Sequence, residues 1–239
     1  MHYSFTRIIV TALAVIVGLL VLIEVFRLVK LYLSVKGNKA YWEAQISKQP
    51  QKGDFVYLAI GDSVAQGIGA SNIKRSYVSM IAAHIEETTG RHVHVINLSV
   101  TGATAADVVR VQLPRMKGIT PDFATLDIGA NDINHKTPHD DFVRDFNTIL
   151  DALPAKKSIV ADLPVFGNGA KQRALDTLNI SVIEAISEHH IERAPVSDFT
   201  RPGVNDPTTY AADFFHPGNK GYRNWYNAFL TKLDGVTQQ

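Results

Sequence analysis

The stretch FVYLAIGDS, residues 55–63, decides the fold. Positions 55 to 60 are all apolar, a run of the right length for a strand buried on both faces. Gly61 stops it, and Asp62-Ser63 opens a turn. The same grammar recurs downstream. Helical spacing of Val78, Ile81, Ala82 and Ile85 predicts a helix over 77–87 ending before Gly90. Residues 92–97 read as a strand, and 105–116 as a helix with Pro114 near its end. A strand over 123–128 precedes a helix over 140–153 striped by Phe142, Phe146, Ile149 and Leu150. A strand over 158–163, a helix over 172–189, a last strand over 194–198 and a closing helix over 218–233 complete the series. Five strands separated by helices predict a parallel sheet covered on both faces.

Upstream the chemistry changes. From Ile8 to Ile23 the run is broken only by Thr11 and Gly18, and Val25 and Phe26 bring it close to the roughly 20 residues that cross a bilayer. A cleaved signal peptide is the competing reading, with Arg7 as its basic flank. No small-x-small cleavage site follows closely, because residues 24–30 are large or charged. The expectation is a single-pass transmembrane anchor over 1–36, with Tyr32, Tyr41 and Trp42 as interfacial aromatics. Residues 37–54, with Gly37, Pro50 and Gly53, read as a polar linker, and 55–239 as the folded domain. Arg27, Lys30, Lys36 and Lys39 outweigh Arg7, which by the positive-inside rule leaves the domain in the cytoplasm.

Composition removes several function classes. In 239 residues, Lys+Arg 24 against Asp+Glu 23 gives a net charge of +1, so no strong polyanion-binding field is expected and nucleic acid is not an expected partner. The absence of cysteine excludes disulfides, thiolate metal sites and a cysteine nucleophile. His92 and His94 share one strand face but lack a third ligand, so no metal is expected. His189 ends a helix and suits its dipole. His135 and His139 follow the Asn131 loop and are candidates for a pocket rim. Gly67-Ile68-Gly69 does not complete the dinucleotide fingerprint, and no phosphate loop occurs, so no cofactor is expected.

In a parallel sheet ligands bind beyond the carboxyl ends of the strands. The loops found there hold Ser63, Gly102, Asn131, Asp213 and His216. A serine hydroxyl needs a base to take its proton. His216 is the candidate base, and Asp213 three residues earlier can reach its other ring nitrogen. An oxyanion needs donors, which the N–H groups of Ser63 and Gly102 and the carboxamide of Asn131 can supply. Apolar Ile68, Val165, Phe166, Phe214 and Phe215 lie nearby, as acyl-pocket lining or as core.

These blocks resemble the SGNH hydrolase superfamily, the GDSL-type esterases and lipases. Its four letters stand in order as Ser63 in GDSVAQG, Gly102 in NLSVTGAT, Asn131 in GANDI and His216 in DFFHPG. Val64 stands where that signature often has leucine. The resemblance, over residues 55 to about 233, implies a flavodoxin-like three-layer α/β/α sandwich and a Ser–His–Asp hydrolase without metal, its oxyanion hole formed by Ser63, Gly102 and Asn131. The expected activity is cleavage of carboxylic esters, lipid-derived or simple acyl, by a membrane-anchored enzyme. The alternatives are an O-acetyl esterase of envelope polysaccharide and a catalytically idle binding module. Resemblance to exported envelope esterases places the domain outside the cytoplasm, against the charge count, and that is the expectation taken.

Overall fold

A computed structural model describes residues 2–167 and 169–237. Residues 1, 168, 238 and 239, which fall within the expected anchor and folded domain, lie outside the described ones. The elements run α1 (His2–Ile46), β1 (Phe55–Gly61), α2 (Tyr77–Thr89), β2 (Val93–Asn97), α3 (Ala105–Asp107), β3 (Phe123–Asp127) and α4 (Ala130–His135). There follow α5 (His139–Asp151), β4 (Ser158–Ala161), α6 (Ala170–Glu188), β5 (Glu192–Ala194), α7 (Val196–Thr200) and α8 (Asn219–Thr237). All five strands are parallel, in the order β2-β1-β3-β4-β5. That is the flavodoxin-like order, whose switch point lies between β1 and β3 because the chain leaves β1 to opposite sides.

Two apolar layers hold the sheet. On one face Tyr57, Ala59 and Phe123 meet Ile81 and Ile85 of α2 and Tyr222 and Phe229 of α8. On the other, Leu58, Ile60, Ala124 and Leu126 meet Phe142 and Phe146 of α5 and Leu178 and Val182 of α6. Alternation along each buried strand sends successive side chains to opposite layers, which is why these strands read as unbroken apolar runs.

The linker expected over 37–54 is corrected at its amino-terminal part. Helix α1 passes through Gly37 without a break and reaches Ile46. Trp42, expected at a membrane interface, is 3% exposed and belongs to the α2/α8 layer, while Ile46 packs against the opposite layer. The indole Nε1–H donates to Gln66 O at 3.1 Å, and Asn38 Nδ2 donates to Gln66 O and Gly67 O at 3.2 and 3.0 Å. Helix α1 therefore straddles the β2 edge of the sheet and docks directly behind the Ser63 turn. Farther toward its amino terminus it is exposed and apolar, long enough to cross a membrane by length and composition.

Two more expectations shift. The helix expected over 105–116 is three short pieces: α3, a π turn over Val108–Gln112 and a 3-10 turn over Leu113–Met116. The last strand ends at Ala194, not 198, because Pro195 has no N–H to continue the ladder and α7 begins after it.

Candidate active site

The carboxyl ends of β1, β2 and β3 and the segment before α8 converge. Ser63, two residues past β1, is 4% exposed, and its Oγ lies 2.9 Å from His216 Nε2. The other ring nitrogen, Nδ1, lies 2.6 Å from Asp213 Oδ2. The second Asp213 oxygen accepts the N–H groups of Phe215 and His216 at 3.1 and 3.0 Å. Burial acts to raise the Asp213 pKa, but the His216 hydrogen bond and these backbone donors outweigh it and hold the carboxyl below its ordinary value. An ionised carboxylate on Nδ1 fixes the tautomer that leaves Nε2 free to accept the Ser63 proton. The same cap holds Phe214 at φ +53, a left-handed conformation costing about 1–2 kcal/mol for a residue with a side chain.

Gly102 sits at φ +81 in a turn closed by the Ala103 N–H to Val100 O bond at 3.0 Å. Among the described residues neither the Gly102 N–H nor the Ser63 N–H has an acceptor. Asn131 stands in the first turn of α4, after Gly129 as N-cap. Its Nδ2 donates to Asp62 Oδ2 and to Ala103 O, both at 3.0 Å. Both amide hydrogens are thus engaged, a point on which its expected role as an oxyanion donor turns. Asp62 also accepts the Val64 N–H at 2.9 Å. Burial pushes the Asp62 carboxyl up to about 6, although the Val64 hydrogen bond and His216 act against the shift.

Supports for this site escaped the sequence reading. Gln112 Nε2 donates to Gly61 O at 2.8 Å, and its Oε1 accepts the Gly61 N–H at 3.1 Å. The π turn is what carries Gln112 to the end of β1, a use such turns have elsewhere. Gly61 itself admits no side chain, since a Cβ there would stand 2.3 Å from Asp127 O. Asn97 Nδ2 donates to Ala65 O at 2.8 Å, and Gln66 Nε2 to Ser99 O at 3.2 Å, tying the Ser63 turn to the loop after β2. Asp132 accepts the Ala105 N–H at 3.1 Å, which joins α4 to α3.

The remaining candidates separate. Ile68 and Val165 are core residues, 1% and 6% exposed. Phe214 is 69% exposed, and Phe215 stacks on Phe166 with ring centroids 5.7 Å apart, edge-on to His216. The ring of His139 bonds Ser181 Oγ of α6 at 2.9 Å. His189 is the C-cap of α6 and bonds Ala185 O at 2.8 Å. His92 pairs with Asp54 at 3.1 Å, and no group of three or more metal-binding side chains occurs among the described residues.

Residues 59–223 match the family described as GDSL-like Lipase/Acylhydrolase. The chain is 33% identical over 81 residues to the GDSL-like esterase Rv1075c of Mycobacterium tuberculosis, a segment covering 34% of this chain and 26% of that relative. Its fold is similar to LAE5, an alpha/beta hydrolase enzyme from the metagenome of Lake Arreo, Spain (TM-score 0.64, 18% identity, 77% of this chain and 97% of that one). It is similar also to Axe2, an acetylxylan esterase from Geobacillus stearothermophilus (TM-score 0.58, 17% identity, 77% and 96%).

Proposed function

Because this chain belongs to the GDSL-like lipase/acylhydrolase family, we propose that it is a membrane-anchored serine hydrolase of carboxylic esters. Ser63 is the nucleophile, His216 the general base and Asp213 its orienting carboxylate. The observation that carries this reading is the unbroken run of hydrogen bonds, 2.9 Å from Ser63 Oγ to His216 Nε2 and 2.6 Å from His216 Nδ1 to Asp213. Ser63 Oγ attacks the ester carbonyl as His216 Nε2 takes its proton, and the negative charge moves to the carbonyl oxygen. The N–H groups of Ser63 and Gly102 receive that oxyanion. Asn131 joins them by exchanging one of its two present acceptors, Asp62 or Ala103 O, for the developing charge. Collapse expels the alcohol with the proton from His216, and water repeats the sequence on the acyl-enzyme.

The substrate proposed is a lipid-derived or simple acyl ester. Its support is position: the exposed apolar part of α1 lies on the same chain that docks behind the Ser63 turn. The domain is assigned to the outer side of the membrane on resemblance to exported envelope esterases, and protease shaving of intact cells reads that side. The test of the chemistry is turnover of p-nitrophenyl acetate and octanoate by the full chain. Ser63→Ala should lower kcat by about 10⁴-fold or more. Equal turnover by the two proteins removes Ser63 from the reaction. Carbonate-resistant membrane association of the full chain tests the anchor separately.

A further inference from the structure

A groove of about 510 Å³ opens between α1 and the carboxyl-edge loops, behind the segment that carries Asp213 and His216. Phe26, Arg27 and Lys30 form its helical wall, and Ser71, Ala212 and Lys220 its opposite wall. We infer that this groove binds the headgroup of an anionic bilayer lipid.

Position is the first argument, and it rests on the anchoring proposed above. Phe26 ends the stretch of roughly 20 residues that would cross the hydrocarbon core, and α1 continues through Lys30 as unbroken helix. Arg27 and Lys30 therefore stand about 1.5 and 6 Å beyond Phe26 along the axis. The polar layer on each side of a hydrocarbon core is roughly 5–8 Å deep, so this wall lies at headgroup level. The opposite wall is held at the same height because Asn38 and Trp42 fix α1 to the domain.

Charge is the second. Arg27, Lys30 and Lys220 line the groove, whose described lining holds no acidic residue, and just outside it Glu24 and Asp206 pair at 2.6 Å with Arg27 and Lys220 respectively. The local balance is one net positive charge. Both ion pairs are about half exposed to solvent, where such pairs contribute little and can exchange partners. A phosphodiester offers Arg27 a bidentate acceptor and gives Lys30 an anionic partner. Ser71, fixed by Asn219 at 2.9 Å, adds a polar contact, and Phe26 and Ala212 supply apolar walls for the glycerol end. A bilayer lipid is favoured over a soluble anion because one wall is the helix that enters the membrane.

The test uses the full chain carrying Ser63→Ala in non-ionic detergent, titrated calorimetrically with dihexanoylphosphatidylglycerol, dihexanoylphosphatidylcholine and inorganic phosphate. The phosphatidylglycerol should bind at least tenfold more tightly than the phosphatidylcholine. R27Q, K30Q and K220Q together should lose at least tenfold, and Lys39→Gln, exposed on α1 outside the groove, should lose nothing. Equal binding of the two lipids, no loss in the triple variant, or the same loss with Lys39→Gln overturns the inference. So does inorganic phosphate binding as tightly as the phosphatidylglycerol, since the site would then read a free anion. Should the triple variant not fold, Lys30→Gln alone carries the test, being an exposed helical position with the same expected direction. Binding is read without Ser63, so its outcome is independent of the proposed nucleophile, and carbonate extraction reports on anchoring alone.

Discussion

Replacing Trp42 with alanine removes the side chain that fixes α1 to the folded domain. The indole is 3% exposed and buried among side chains of the α2/α8 layer. Truncating a buried tryptophan to alanine costs about 3–5 kcal/mol. Of this, the lost Nε1–H bond to Gln66 O accounts for about 1 kcal/mol. A domain of this size loses about 2–4 °C of Tm per kcal/mol, so Trp42→Ala should melt roughly 10 °C lower than the parent. Trp42→Phe keeps most of the apolar volume and should lose only about 1–2 kcal/mol. The assay is thermal unfolding of the full chain in detergent, with amide hydrogen exchange across 38–46 as a local readout. Tyr32→Ala, at an α1 position 69% exposed, is the control and should change stability by less than about 0.5 kcal/mol. If Trp42→Ala melts with the parent and its 38–46 amides exchange no faster, the indole does not hold the helix. The docking account would then fail.

Other outcomes follow from the site. Asn131→Ala should lower kcat by about 10²–10³-fold with KM little changed in steady-state ester hydrolysis, as expected for a donor used in the transition state. Gln112→Ala leaves the buried Gly61 N–H without its acceptor, although Gly61 O keeps the Val100 N–H. Urea unfolding should register a loss of about 1–3 kcal/mol, and kcat should fall more than KM rises. Asp62, pushed up to about 6 by burial, stabilises the fold fully below its unfolded value and loses that contribution as pH rises through about 6. The stability difference between the parent and Asp62→Asn should therefore shift against the parent by up to about 3 kcal/mol from pH 4 to pH 7. Parallel urea-derived stability curves for the two proteins would contradict that sign.

The β1 to β4 runs and the loops after them were legible because each strand is buried on both faces and stops at a glycine or a polar turn. Position at the carboxyl ends then brought Ser63, Gly102 and Asn131 to one edge without any knowledge of packing. Strand β5 was displaced in the reading because Glu192 and Arg193 at the far edge give no apolar run, and the apolar signal lay beyond Pro195 in α7. Gln112 was invisible for a different reason. Its partner is 51 positions away, and the connection depends on a π turn that residue spacing does not encode. Trp42 was misplaced because an aromatic residue after an apolar helix looks the same whether it meets headgroups or a sheet. The tied hydrogens of Asn131 are a matter of rotamer and partner, which motif letters leave open.

The covering of β2 by α1 bears on how this protein tolerates being cut. With α1 in place, the outermost strand of the sheet has a neighbour on its open side. A form released by cleavage after Ile46 would present a bare row of β2 amides and carbonyls, flanked by the apolar surfaces that Trp42 and Ile46 had shielded. Such borders recruit further strands, so a shed domain would tend toward self-association. The helix proposed to anchor the protein thus also covers the edge of its sheet.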